Sequence, residues 1–309
     1  MDGISFPVRY ARSRDSEQVG SHSKSTGQKK IMYCDFWNLT QAPFHQQLDL
    51  EYFFESEFHE EALARLLYVA DEQEKCAVFT GPSGTGKTLT LKVLQHLSKR
   101  SPHHCEYLDL LGLGEEEFLW QLAAQLRLGP AYDTKPPQLW RQLTDYLTGL
   151  QLTQNRVILL LDHVDQSRSE CTNTIERLLH TGNQQYTSLS IATTFENLNS
   201  EAANVVSRFS DLAIELIPFD QKTTENYIQH RLKQSGCTKP LFTADAFKEI
   251  HKGTNGLPEK INQICDLALL AGYEQNLQEI GPEVIARAGS EIKGVPLSTN
   301  RISEVVQGV

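Results

Sequence analysis

Long apolar stretches are missing from this chain. No purely apolar run exceeds five residues, and the one at Val157–Leu161 is closed off by Arg156 and Asp162, whereas a membrane-crossing helix needs about 20. Direct membrane insertion is therefore not expected. The opening residues, MDGISFPVRYARSRDSEQ, bear charges but no apolar core of the secretory kind, so the expected compartment is the cytoplasm. Closely spaced cysteines are missing too. Cys34, Cys76, Cys105, Cys171, Cys237 and Cys265 form no CxxC pair and no Cys/His spacing that suits zinc, and the adjacent His103 and His104 lack a ligand-spaced third residue. Reduced, mostly buried thiols are expected. An excess of positive charge is also absent: 29 Lys and Arg stand against 39 Asp and Glu, a formal net charge of −10. That balance disfavours a non-specific nucleic-acid coat, though a local basic patch is compatible with it.

What is present is the composition of a globular chain. With 309 residues, 39% of them hydrophobic, it suits one large or two modest domains with a sizeable core. Residues 1–30, including SHSKSTGQKK, are polar and read as a disordered tail. Order is expected from about Ile31, where aromatics become dense: Tyr33, Phe36, Trp37, Phe44, Tyr52, Phe53, Phe54 and Phe58. From there strand patterns at 76–80, 104–110, 156–161, 188–194 and 212–219 alternate with helical patterns near 59–74, 89–97, 115–127, 137–151 and 170–183. Strands separated by helices predict an α/β fold, a parallel sheet covered by helices on both faces, over residues 31–219. After Pro218 only helical patterns remain, near 221–235, 243–252, 258–275 and 281–290. Asp220 and Thr243 stand at N-cap positions, and Gly236 and Gly253 where helices should stop. These predict an all-helical domain over 220–290, followed by a flexible tail at 291–309.

The strongest chemical signal is GPSGTGKT, made of Gly81, Pro82, Ser83, Gly84, Thr85, Gly86, Lys87 and Thr88. It satisfies G-x-x-x-x-G-K-[ST] in full. The glycines let the backbone curl so that successive N–H groups face one point, and the helix that follows opens its positive end there, beginning with Leu89. A di- or triphosphate is the ligand this geometry favours, with Lys87 reaching the β and γ phosphates and the Thr88 hydroxyl on Mg²⁺. The preceding CAVFT strand supplies the context the pattern requires.

A carboxylate that holds the metal is expected at the C-terminal end of a buried parallel strand. RVILLLD provides one in Asp162, 75 residues after Lys87. HCEYLDL lies between the two in the sequence, which implies a strand inserted between the phosphate-loop strand and the acidic strand. On family knowledge, that order favours the additional-strand ATPases.

On these residues the chain resembles the AAA+ ATPases, and within them the secretion-pathway A (ExeA/GspA-like) group. The resemblance is carried by FWNLTQAPFHQQLD (36–49), FHEEALARLLY (58–68), GPSGTGKT, LLLDHVDQ (159–166) and GLPEKINQICDLALLAGY (256–273). It runs from about Tyr33 to Ser290 and implies that the helical domain is a nucleotide lid. It also implies that Thr193 or Thr194 senses the γ-phosphate and that Arg208 is an arginine finger completing a neighbour's site in a homo-oligomer. The segment from Phe54 to His59, with Leu257 and Pro258, would wall the adenine. ATP and Mg²⁺ are the implied ligands, and a protein of unnamed identity the implied partner.

Two positions depart from the group's pattern. Relatives carry Glu directly after the acidic-strand Asp, where it orients and deprotonates the attacking water; here that residue is His163. A neutral imidazole can accept a proton but lacks a carboxylate's fixed charge, and Asp165 is the nearest substitute carboxylate. Hydrolysis slowed by one to three orders of magnitude is expected, since a general base contributes about 10²–10⁴-fold. The group's GxPR segment carries Arg after Pro in the lid, whereas this chain has Glu259, with Lys260 as the substitute one position on. Membrane and wall-binding regions of the secretion members are not matched.

The leading expectation is thus an ATP hydrolase acting as a nucleotide-driven conformational switch on a protein partner. A nucleotide-binding scaffold that hardly hydrolyses is the alternative motivated by His163 and Glu259. A DNA-handling ATPase of the transposition or initiator kind would draw on Lys233, Lys239, Lys248, Lys252 and Lys260, but no aromatics accompany them for base stacking, so DNA is not favoured. Lys87→Ala is expected to abolish ATP binding with little effect on folding. A folded Lys87→Ala protein with undiminished affinity in an equilibrium ATP titration would overturn the site assignment.

Overall fold

A computed structural model describes residues 33–45, 49–72, 74–99, 104–181, 188–210 and 212–292. The tail at 1–30, nearly all of that at 291–309, and His103 lie outside the described residues. The α/β part runs α1 (Glu57–Asp71), β1 (Cys76–Thr80), α2 (Lys87–Ser98), β2 (His104–Asp109), α3 (Glu115–Gln125), α4 (Pro136–Leu152), β3 (Val157–Asp162), α5 (Ser169–His180), β4 (Leu189–Phe195), α6 (Glu201–Ser207) and β5 (Leu212–Glu215). The helical part contains α7 (Gln221–Gln234), α8 (Ala244–Thr254), α9 (Pro258–Glu274) and α10 (Pro282–Glu291). None of the described helices is long and apolar enough to cross a membrane.

The five strands form one parallel sheet in the order β2-β3-β4-β1-β5. The three inner strands are buried from end to end, as continuous apolar runs predict for strands covered on both faces. Side chains alternate between the two faces with the strand period of two. Val157, Leu159 and Leu161 join Val78 and Ile191 in a core with Phe118, Leu122, Leu143, Ile175 and Val206, so α3 to α6 cover that face. Ile158 and Leu160 join Ala77, Phe79 and Ala192 in a core with Leu66, Leu91 and Leu94, so α1 and α2 cover the other.

The strand inserted between β1 and β3 is β4, not HCEYLDL. HCEYLDL forms β2 at the sheet's edge, paired only with β3, and its burial is patchy as an edge strand's is. Sequence order cannot give this, because β4 reaches its place through a crossover. Three further expectations need correction. A short helix at Glu201–Ser207, α6, opens on Ser200, whose hydroxyl accepts the Ala203 N–H. The last strand stops at Glu215 rather than 219; after Leu216 donates to Thr80 the chain leaves the sheet, and Phe219 donates instead to Gly256 in the helical domain. Gly253 lies within the last turn of α8, which ends at left-handed Asn255 and Gly256.

The N-terminal aromatic segment, grouped in the sequence with the α/β part, packs on the helical one. Tyr33, Trp37, Leu39 and Phe44 share a core with Ile228, Phe242, Ile261 and Leu269. Trp37 Nε1 donates to the Leu269 carbonyl at 2.9 Å, and Tyr33 Oη donates to Asp266 at 2.6 Å. Buried Arg231 donates through Nε to the Pro43 carbonyl at 2.6 Å.

The junction of the two parts depends on Gly256. Its φ is +72°, and a Cβ there would fall 1.9 Å from the Phe219 carbonyl oxygen. Since both backbone conformation and space exclude a side chain, Gly256→Ala is expected to cost about 2 kcal/mol or more. A melting temperature within about 1 °C of wild type would contradict this, because about 1 kcal/mol corresponds to 2–4 °C in a chain of comparable size.

Candidate functional site

The loop Gly81–Gly86 joins β1 to α2 at the C-terminal edge of the sheet. Gly81, Gly84 and Gly86 all have φ between +80° and +151°, conformations open chiefly to glycine. Lys87 is buried and its ammonium donates back to the loop, to Gly81 O at 2.7 Å and Pro82 O at 3.1 Å. Burial lowers its pKa, while Glu196, Asp162 and Asp165 pull it back up.

Asp162 ends β3 with no exposed surface. A buried carboxylate needs its lone pairs filled, and four donors fill them. Oδ2 accepts from Thr88 Oγ1 at 2.6 Å and Tyr107 Oη at 3.0 Å. Oδ1 accepts from the His163 N–H at 3.1 Å and, in a short bond, from the Thr194 hydroxyl. Thus α2, β2 and β4 all converge on one side chain. The Tyr107 ring in turn carries the Lys92 ammonium 3.3 Å from its centre, and burial with the neighbouring Asp162 pushes the phenol's pKa up. Thr193 does not join the cluster; its hydroxyl donates to the Ala77 carbonyl inside the sheet at 3.1 Å.

His163 stands in the left-handed region, φ 53° and ψ 41°, which few non-glycine residues occupy. That turn aims its N–H at both Asp162 Oδ1 and Thr194 Oγ1, the latter at 2.9 Å. Asp165 is engaged elsewhere: Oδ2 accepts the Glu196 and Asn197 N–H groups at 2.9 and 2.8 Å, pinning the loop after β4.

His59 flanks the loop from α1. Its Nε2 lies 3.2 Å from the Thr85 carbonyl, and Nδ1 2.7 Å from Ser56 Oγ. The carbonyl can only accept, so Nε2 carries the proton and Nδ1 accepts from Ser56. Burial lowers the His59 pKa to about 4, against a smaller upward effect of the Thr85 bond. Phe54 is half-buried and packs edge-on against Phe219, Tyr227 and His230, while the His59 ring lies 5.7 Å from that of Phe219, centre to centre.

The helical domain reaches the loop through the start of α9. Glu259 N donates to the Gly84 carbonyl at 3.2 Å, and a Cβ on Gly84 would fall 2.7 Å from Glu259 Oε2. An acidic side chain therefore lies against the phosphate loop. Pro258 is the first residue of that helix, and Lys260, half-buried, stands in its first turn. Pro82 and Ser83 are exposed on the loop, and Leu89 is half-buried in the first turn of α2. Arg208 caps α6 away from this cluster, 63% exposed, with Nη2 3.7 Å from Glu176 Oε1.

The sequence did not single out Tyr107 or Asp109. Both lie on the edge strand β2, and the parallel register sets Asp109 opposite Asp162. The signal was the pairing of the two strand ends, each closing on Asp, but which strands are neighbours is a tertiary fact.

Sheet order, phosphate loop and buried strand-end Asp give a P-loop fold of the AAA+ type. Residues 70–197 match the family model described as an AAA domain. The chain is similar to general secretion pathway protein A of Aeromonas hydrophila, 26% identical over 276 residues, covering 85% of this chain and 49% of that protein. The chain thus spans about half the length of this curated relative. Among solved structures, Cdc6p from Pyrobaculum aerophilum aligns with a TM-score of 0.63 at 16% identity, over 81% of this chain and 70% of that one. Drosophila ORC bound to DNA aligns at 0.64 and 16%, over 91% and 70%. At these identities the structural likeness is one of fold.

The His59 environment has a pH consequence. Between the unfolded value near 6.5 and the folded value near 4, the unfolded chain binds a proton that the folded one does not. Stability is therefore expected to fall as pH drops through that window, by up to about 3 kcal/mol from this group. Denaturant unfolding of wild type and His59→Asn between about pH 7 and about pH 4.5 checks this; equal acid losses in the two would contradict it.

Proposed function

We propose that this protein binds ATP with Mg²⁺ and hydrolyses it slowly, as an AAA+-type nucleotide-driven switch acting on a protein partner. The observation that carries this reading is the meeting of loop and strand end: Thr88 Oγ1 lies 2.6 Å from Asp162 Oδ2, one residue from the Lys87 ammonium. The residues fit the ligand. The glycine loop opens α2 and gives N–H donors for phosphate, and a hydroxyl beside a carboxylate is a hard oxygen set suited to Mg²⁺. When bound, Mg²⁺ would be held by Thr88 and Asp162 and would neutralise phosphate charge.

The chain's own groups have these roles. The Lys87 ammonium, now on two loop carbonyls, exchanges them for phosphate oxygens. Thr194, tied to Asp162, senses the γ-phosphate end of the site. His59 and Phe54, bridged by Phe219, with Pro258, wall the adenine side, and Lys260, next to Glu259 in the chain, is the lid's basic residue there. His163 takes the place of the water-orienting Glu. Arg208, exposed and only loosely paired, is available to a neighbouring subunit, which supports a homo-oligomer with shared sites. A second reading, a scaffold that binds nucleotide and hardly turns it over, draws on Glu259 lying over Gly84 in place of Arg.

A DNA role by analogy with the ORC structure is not favoured. Lys248 pairs with Asp245 at 2.8 Å and Lys252 with Glu249 at 3.9 Å, the pattern of solvated helix faces.

If His163 slows the reaction, His163→Glu should raise steady-state turnover about 10- to 1,000-fold with unchanged ATP affinity. A brisk wild-type rate with no gain in the variant would contradict slow hydrolysis.

A further inference from the structure

The connection between α3 and α4 forms an open cleft that the nucleotide site does not use. It lies between Glu116, Glu117 and Trp120 on α3 and Tyr132, Asp133 and Lys135 on the connection, with a volume of about 660 Å³. That is within the range of ligand sites, about 300–1,000 Å³. The chain's own bonds hold the walls. Arg127 and Gly129 adopt left-handed backbone, φ 59° and 64°, and turn the chain back beside α3. The Leu128 N–H donates to the Ala123 carbonyl at 2.9 Å, and the Thr134 N–H to that of Ala131 at 3.1 Å. The Trp120 indole joins the two walls by donating to the Ala131 carbonyl at 3.0 Å. A ligand would therefore not have to order the cleft.

Two features point to its occupant. The first is aromatic: Tyr132 is 97% exposed, more than any other large hydrophobic side chain described, beside the half-buried Trp120 ring. The second is charge. Glu116, Glu117 and Asp133 make no ion pair among the described residues, and Lys135 is the only base on the lining. Other exposed helix acids are paired, Glu61 with Arg65, Asp145 with Arg141 and Asp245 with Lys248. The positive end of α3 favours Glu116 and Glu117 where they stand; Tyr132 and Asp133, on the connection, have no such reason.

We propose that this cleft binds an extended segment of a protein partner that presents Arg or Lys beside an apolar side chain. The cation lies on the Tyr132 and Trp120 rings within reach of the carboxylates, so ring and charge attraction act together. The apolar neighbour covers the rest of the aromatic wall. The same carboxylates repel nucleic-acid phosphate. This gives a chemistry to the protein partner of the reading above without resting on any residue of the nucleotide site, and its test needs no ATP.

The test follows the indole N–H resonances of the ¹⁵N-labelled full chain, which has three Trp, with Trp120→Phe assigning its own. The probe is an acetylated, amidated Arg-Leu-Arg-Leu-Arg peptide, titrated alongside the same peptide with Gln in place of Arg. The Arg peptide should shift the Trp120 indole saturably and leave Trp37 unmoved, and the Gln peptide should not. Tyr132→Ala should weaken the affinity about fivefold, and Glu116→Gln combined with Asp133→Asn by a similar factor. These side chains are exposed, so the variants should melt with wild type. Equal binding of the Gln peptide, affinities unmoved by the variants, or an unmoved Trp120 at millimolar Arg peptide overturns the proposal. A Trp120 shift produced by duplex DNA instead, or by protein concentration alone, also overturns it and puts DNA or a second copy in the cleft. All of these outcomes leave the ATPase reading standing.

Discussion

The carboxylate of Asp162 is the point on which the site depends. Burying a charge is costly unless it is bonded on all sides, and here the bonds come from four places in the chain: Thr88 on α2, Tyr107 on β2, Thr194 on β4 and the turn at His163. Each donor is correctly placed only if the sheet has its order and register. The phosphate loop, the edge strand and the crossover strand are therefore fixed relative to one another through one side chain. The hydrophobic layers on the two faces supply the stability that tolerates this polar centre.

Around that centre the phosphate loop is gripped from both sides. His59, kept neutral by burial against the smaller upward effect of its bond to the Thr85 carbonyl, supports it from α1. Glu259 bonds Gly84 from the helical domain, and Gly256 against Phe219 sets where that domain joins. The loop and the helical domain are therefore in direct contact. The N-terminal aromatic segment is bound to the helical domain through Trp37, Tyr33 and Arg231. In a nucleotide-driven switch these would be the surfaces whose position reports the state of the site.

The α/β sheet with helices on both faces was legible because the central strands are apolar without interruption and the helices repeat at the helical period. The phosphate loop was legible because glycine spacing, Lys87 and Thr88 constrain one another locally. What could not be read was non-local. That β4 lies between β1 and β3 depends on a crossover, and that Tyr107 and Asp109 reach the site depends on β2 pairing beside β3. The seven residues of α6 were too few for a periodic signal. Asn255, rather than Gly253, stops α8 because the backbone turns left-handed only at Asn255 and Gly256. Phe54, expected against adenine from the resemblance, makes its described ring contacts within an aromatic cluster shared with Phe219, Tyr227 and His230, a packing choice no spacing announces.

The most direct measurement is steady-state Mg-ATP hydrolysis by the purified protein across protein concentration, with Lys87→Ala as the blank. A low rate above the blank that rises per subunit as concentration increases is expected if, as proposed, a neighbour supplies Arg208. A protein that neither binds Mg-ATP nor exceeds the blank at any concentration would contradict it.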